Sequence, residues 1–242
     1  MSCGGQVIET AKLRRFLQEL KIGIVGPEEP KWTEEQKAEA KMIINQIFNA
    51  ADCNINQQNK NFIYTDIVLV SGRCPVGWCT HCQKRVMVPN DAPLDGFTTC
   101  PKCGYLTLRR TGGVDIWAEE IANKLGVKTE IYPAPAKQWK DIEITVVQPE
   151  TILKGYRSRN IQIAEACYIL YCIVPKKLSA FCGHHQLNKI DYRPVGEGQR
   201  YDEWFQLNKG HPRNGGCWTL QYAKEKLRKE THLVVVECKK LK

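Results

Sequence analysis

Asp66-Ile-Val-Leu-Val-Ser71, running into Gly72-Arg-Cys-Pro-Val-Gly77, and the later stretch Gly112-Gly-Val-Asp-Ile-Trp-Ala118 read as one unit cut in two. The first is a strand-sized apolar run that ends in a glycine. With residues 78–111 set aside, it passes through a glycine-rich turn into a helical pattern, Val114, Trp117, Ile121 and Leu125 lying on one face. A βα unit with a separate module inserted in its loop is the reading that fits.

The same alternation extends outward. Lys21-Ile-Gly-Ile-Val-Gly26 predicts a short buried strand that Pro27-Glu-Glu-Pro30 ends. Thr33-Glu-Glu-Gln36 is a capping box, opening a helix whose core face includes Ala40, Ile43, Ile44 and Ile47. Upstream, Leu13, Phe16, Leu17 and Leu20 predict an N-terminal helix over 1–20, and the Asn- and Gln-rich stretch 54–61 a loop. Downstream come a strand at Thr129–Tyr132, a Pro-rich connection, a helix at Ile161–Ala166 and a strand at Tyr168–Val174. Residues 176–213 read as an irregular insertion; Asn214 opens a helix through Lys229, and His232–Val236 is the last strand. Alternating strands and helices predict an α/β fold, a mostly parallel sheet with helices on both faces. The main domain spans 21–77 and 112–242, and ligands of such sheets sit at the carboxyl ends of strands.

The insert has its own chemistry. Cys79-Thr-His-Cys82 and Cys100-Pro-Lys-Cys103-Gly104 are two C-x2-C pairs, and the strand-like stretches Lys84–Val88 and Tyr105–Arg109 follow them. Two thiolate pairs at this spacing can close a tetrahedron around Zn2+, so 78–111 reads as a zinc ribbon with one structural metal and no open position for catalysis. A second metal site is a further expectation: Cys182 and His185 have knuckle spacing, with His211 and Cys217 as the other half, and His184 an alternative to its neighbour. Such a site would staple 176–213; the competing reading is exposed histidines and a half-buried thiol.

Hydrophobic residues make up 43% of the 242 and charged residues 25%, which excludes a disordered chain. The longest apolar runs are far below the ~20 residues that span a bilayer, and no basic-then-apolar leader opens the sequence; no membrane association and a cytoplasmic location are the expectations. Twelve cysteines then read as metal ligands and reduced thiols rather than disulfides. The net charge of +9 favours polyanionic partners but also fits an ordinary basic surface.

Ser71-Gly72 joined to Gly113-x-Asp115-x-x-Ala118, then Gly155-x3-Arg159-Asn160, then Gly215-Gly216-x-x-Thr219 with Ala223, resembles the SLOG superfamily of Rossmann-like proteins, most closely its YspA-type branch. The likeness rests on the order and spacing of these motifs over most of 21–238. It implies a nucleotide or nucleotide-derived ligand and a sensor without catalysis. The implied site is Gly26, Ser71, Gly72, Gly112, Gly113, Asp115, Arg157, Arg159, Asn160, Gly215, Gly216 and Thr219. Glycine turns opening helices suit phosphate, and arginines offer it forked donors. Each also has a plainer reading: Asp115 as a helix cap, the arginines as a solvated turn, the glycines as tight turns.

The superfamily's phosphoribohydrolases carry two glutamates where this chain has Gln221 and Tyr222, and an amide cannot do a carboxylate's acid–base work. That departure counts against hydrolysis of nucleoside monophosphates. The superfamily's DNA-processing members suggest a third reading, single-stranded nucleic acid held on the ribbon by Lys84, Arg85, Lys102, Arg109 and Arg110 beside Trp78, Phe97 and Tyr105. A ribbon that lids the ligand site or contacts a protein is the alternative.

Overall fold

The structure is a computed structural model that describes residues 17–57, 63–133, 142–144, 152–154, 156–176 and 215–236. Its centre is a five-stranded parallel sheet of β1 (Leu17–Val25), β2 (Ile63–Ser71), β7 (Lys128–Ile131), β10 (Ile169–Pro175) and β11 (Glu230–Val236). Its spatial order is β11-β10-β1-β2-β7. Counted along the chain within this sheet, the order is 3-2-1-4-5, that of Rossmann-like doubly wound sheets, with the reversal between β1 and β10. The expected α/β class holds.

Burial follows the two-residue period of a strand covered on both faces. Leu20, Ile22 and Ile24 of β1, with Ile67 and Leu69 of β2, belong to one apolar cluster; Val25, Val70, Leu170, Cys172 and Val174 belong to the other. The first cluster is covered by α1 (Glu34–Gln57) and α2 (Val114–Leu125), through Ala40, Ile44, Phe48, Trp117 and Ala118. The second is covered by α3 (Tyr156–Ala166) and α4 (Gly215–Glu225), through Ile163, Ala164, Leu220 and Ala223. The capping box forms as expected: the Gln36 N–H donates to Thr33 Oγ1 at 3.3 Å, and the Thr33 N–H to Gln36 Oε1 at 3.2 Å.

Four expectations are corrected. Leu17 and Leu20 lie in β1, paired in parallel with β2 from Leu17 opposite Ile63, so the predicted N-terminal helix does not extend over 17–20. Strand pairing overrides the helical spacing there; residues 1–16 lie outside the described residues. The first four residues of the loop predicted over 54–61 are instead helical, because α1 continues to Gln57; residues 58–61 lie outside the described residues. The arginine-rich turn is instead the start of α3, so Arg157, Arg159 and Asn160 are helical. Ile142–Ile144 (β8) and Ile152–Lys154 (β9) form an antiparallel pair that the Pro-rich reading did not anticipate.

The insert is a four-stranded antiparallel sheet, ordered β4-β3-β6-β5, of β3 (Val76–Cys79), β4 (Lys84–Met87), β5 (Phe97–Thr99) and β6 (Leu106–Arg110). It begins two residues earlier than its cysteines suggested. Gly77 pairs with Arg110, and the Thr111 N–H donates to Val76 O at 2.9 Å. The chain therefore leaves and rejoins the main domain at one narrow neck.

Candidate metal centre and ligand crevice

Cys79 closes β3, Cys82 follows it in a turn, and Cys100 and Cys103 bracket the turn before β6. The local backbone is built for this. The Gly104 N–H donates to Cys100 O, the Cys100 N–H to Tyr105 O, and Gly104 takes φ +75°, which a side chain would strain. The four sulfur atoms lie within 4.8 Å of one another, Cys79 to Cys103 at 3.7 Å and Cys82 to Cys100 at 3.9 Å. These separations are far beyond a disulfide bond of ~2.05 Å.

Burial opposes ionisation of Cys79, but the Cys82 N–H and the Thr107 hydroxyl reach its sulfur and bring it down to about 6. Its hydrogen-bonded neighbour Cys82 is pushed up to about 12. Four thiolates this close repel one another unless a cation sits between them, and the tetrad could hold a metal ion.

The second cluster of polar groups lies at the carboxyl ends of the parallel strands. Arg159, on α3, places its guanidinium over Gly72, donating from Nη1 to Gly72 O at 3.1 Å and from Nε and Nη2 to Asn160 Oδ1 at 3.0 and 2.9 Å. A Cβ at Gly72 would meet that guanidinium at 2.7–2.9 Å, so glycine is required for Arg159 to lie there. Asp115 Oδ2 is 3.7 Å from Arg159 Nη1, and both side chains are nearly buried. Burial raises the Asp115 carboxyl, with Arg159 and the Gly26 N–H opposing. Asp115 is not the helix cap, a position Gly113 holds; it ties the end of β1 to α2. Asn160 Nδ2 donates to Gly215 O at 3.3 Å, linking α3 to α4.

Of the predicted residues, Gly26, Ser71, Gly72, Asp115, Arg159, Asn160, Gly215 and Gly216 converge here. Several glycines serve packing. A Cβ on Gly216 would stand 3.1 Å from Gly26 Cα, and one on Gly26 would stand 2.4 Å from Ile173 O. Gly112 and Gly113 pair with the turn after β1, Gly112 O accepting from the Glu29 N–H at 2.7 Å. Thr219 is turned into its own helix, its hydroxyl donating to Gly215 O at 2.7 Å. The Arg157 side chain lies outside the described residues, as do Cys182, His184, His185 and His211 of the expected second metal site. Cys217 is fully buried in the apolar cluster with Cys167 and Cys172.

Compared with models of known families, with curated proteins and with solved structures, the chain matches none.

Two residues of the crevice were missed in the sequence. Glu119 is 1% exposed, accepts from Ser71 Oγ at 2.9 Å and pairs with Arg73 Nε at 2.7 Å. Burial raises its carboxyl, with Arg73 the chief opposing influence. The signal was available: Glu119 stands four residues after Asp115, so both project from one face of α2. Arg73 holds φ +36°, unusual for a side-chain-bearing residue, with its N–H on Ser71 Oγ at 3.3 Å. At the hydrolase-motif positions, Gln221 is buried and donates to Glu225 Oε1 at 2.7 Å, while Tyr222 stacks on Trp218. No helix among the described residues is long and apolar enough to cross a membrane.

Proposed function

We propose that this chain is a zinc-stabilised binding protein for a nucleotide-derived ligand, held at the carboxyl ends of β1 and β10. One observation carries the reading. The sheet reverses its order between β1 and β10, and doubly wound sheets take ligands outside the strand ends at that reversal. Around it gather the α2 and α4 amino termini, whose partial positive charge suits phosphate, and the guanidinium of Arg159. The resemblance to the SLOG superfamily supplies the ligand class. Gln221 and Tyr222, in place of two carboxylates, favour binding over hydrolysis.

For the metal, zinc is the best fit. Zinc–thiolate bonds of about 2.3 Å in a tetrahedron set sulfur–sulfur edges of roughly 3.8 Å, between the two separations found here. Zinc would supply folding energy to the ribbon, and four thiolates leave it no position for water.

Thermal-shift screening against mono-, di- and cyclic nucleotides tests the ligand class. A ligand at a hundred times its Kd stabilises by about 2.7 kcal/mol, which raises Tm by roughly 5–10 °C in a chain this size. If no nucleotide at millimolar concentration moves Tm, the reading is wrong.

A further inference from the structure

The outer face of the ribbon sheet carries a row that the strand register makes visible. Arg85 on β4 pairs with Trp78 on β3, Trp78 with Arg109 on β6, and Arg109 with Phe97 on β5. Cation and aromatic ring thus alternate across all four strands, on the face opposite Val86 and Leu108 of the ribbon core. Trp78 and Phe97 are 47% and 53% exposed, an uncommon cost for large apolar rings. The row forms one wall of a cleft of about 650 Å³, and the turn holding Glu28, Glu29 and Lys31 forms the other.

We propose that this cleft binds single-stranded nucleic acid, with bases stacked on Trp78 and Phe97 and the intervening phosphate held by Arg109. The spacing suits it. Two strand intervals separate the rings by about 10 Å, with the guanidinium midway. Charge suits it as well. Glu28 is paired with Arg85, and Glu29 with Lys37 at 2.6 Å, a lysine that Glu34 shares, so each acid of the cleft already faces a cation. Arg109 is exposed and makes no hydrogen bond or ion pair among the described residues; its charge acts on the Glu29 carboxyl across the cleft, so an anion bound here competes with Glu29 for it. Exposed rings between arginines need unstacked bases, so a duplex, whose bases are stacked on one another, is a poor occupant. This site is separate from the strand-end crevice and stands or falls without it.

The experiment is fluorescence anisotropy on the full zinc-loaded chain, with labelled oligo-dT and oligo-rU of about 12 nucleotides and a duplex of equal length. The single strands are expected to bind more tightly than the duplex. Trp78→Ala should weaken that binding roughly tenfold, Phe97→Ala comparably, and Trp78→Phe much less. Arg109→Gln should lower the slope of log K against log salt by about 0.7, one single-strand phosphate contact. Metal content and Tm, measured on each variant, identify those that remain folded. Absence of single-strand binding at low salt overturns the proposal, as would be found if the face serves a protein. So does single-strand binding that folded Trp78, Phe97 and Arg109 variants leave unchanged.

Discussion

Replacing Cys100 with serine should unfold the ribbon and leave the parallel sheet standing. Cys100 is fully buried, its sulfur is 3.9 Å from that of Cys82, and its backbone anchors the turn to Tyr105. A serine hydroxyl keeps the size but stays protonated at neutral pH, so the tetrad loses one anionic donor. The large aliphatic side chains buried in the ribbon are Val86, Val88 and Leu108. They contribute about 2 kcal/mol each, whereas a structural zinc supplies on the order of 10–16 kcal/mol. A zinc ion held by the tetrad would be the dominant cohesive term, and on that reading the module should not hold without it.

The parallel sheet has its own two clusters of apolar side chains and shares with the ribbon mainly hydrogen bonds and one surface ion pair, Arg85 with Glu28. An exposed pair of that kind is worth about 0–1 kcal/mol. Hydrogen exchange read by mass spectrometry separates the two bodies, with elemental analysis for bound metal. Amides over 78–111 should lose protection in Cys100→Ser, or after chelation, while those of β1, β2, β10 and β11 keep theirs. Metal-free protein with ribbon amides still protected would refute the reasoning. So would simultaneous loss of protection in the sheet.

Two further outcomes follow from the crevice. Gly26→Ala places a Cβ 2.4 Å from the Ile173 carbonyl and 2.5 Å from Val114, and should cost about 3 kcal/mol in urea denaturation; Gly112→Ala meets only the mobile end of Glu29 and should cost under ~1 kcal/mol, so equal costs would contradict the packing described. Glu119, whose carboxyl burial lifts above its ordinary 4.5, contributes stability below that value which is lost as pH rises through its folded pKa; the stability of the native chain relative to Glu119→Gln should therefore fall from pH 4 to pH 8, and a constant difference would remove the buried-charge account.

Much of this was legible in the chain because the governing forces are local or periodic. The cysteine pairs fix the ribbon by spacing alone, and the capping box fixes the start of α1 by a reciprocal pair of hydrogen bonds. What misled was pairing at a distance. Leu17 and Leu20 carry helical spacing, yet their partner is β2, more than forty residues away, and spacing within a segment cannot register a neighbour outside it. Arg85, Trp78, Arg109 and Phe97 were named from the sequence, but their order as one row was hidden for the same reason: they come from four strands and are adjacent only through the register. The glycines were legible as glycines but ambiguous in purpose. Gly72 is open to Arg159 and Gly26 is closed by Ile173 and Val114, a difference in what surrounds them that the sequence does not carry.

The position of the insert gives the two sites a physical relation. It leaves the main domain just after Ser71-Gly72 and returns just before Gly112-Gly113, both at the carboxyl edge of the sheet. Arg73, three residues before β3, reaches back to Glu119 of α2 and also donates to Asn90 O of the ribbon at 2.9 Å. Arg110, the last residue of β6, donates to Cys74 O and Pro89 O and so closes the neck from the other side. Arg73 is thus held at once by the ribbon and by Glu119, the carboxylate that also accepts from Ser71. The crevice and the metal module share this edge by construction, since a loop at the carboxyl end of a strand is where a doubly wound sheet can take an insertion without breaking its pairing.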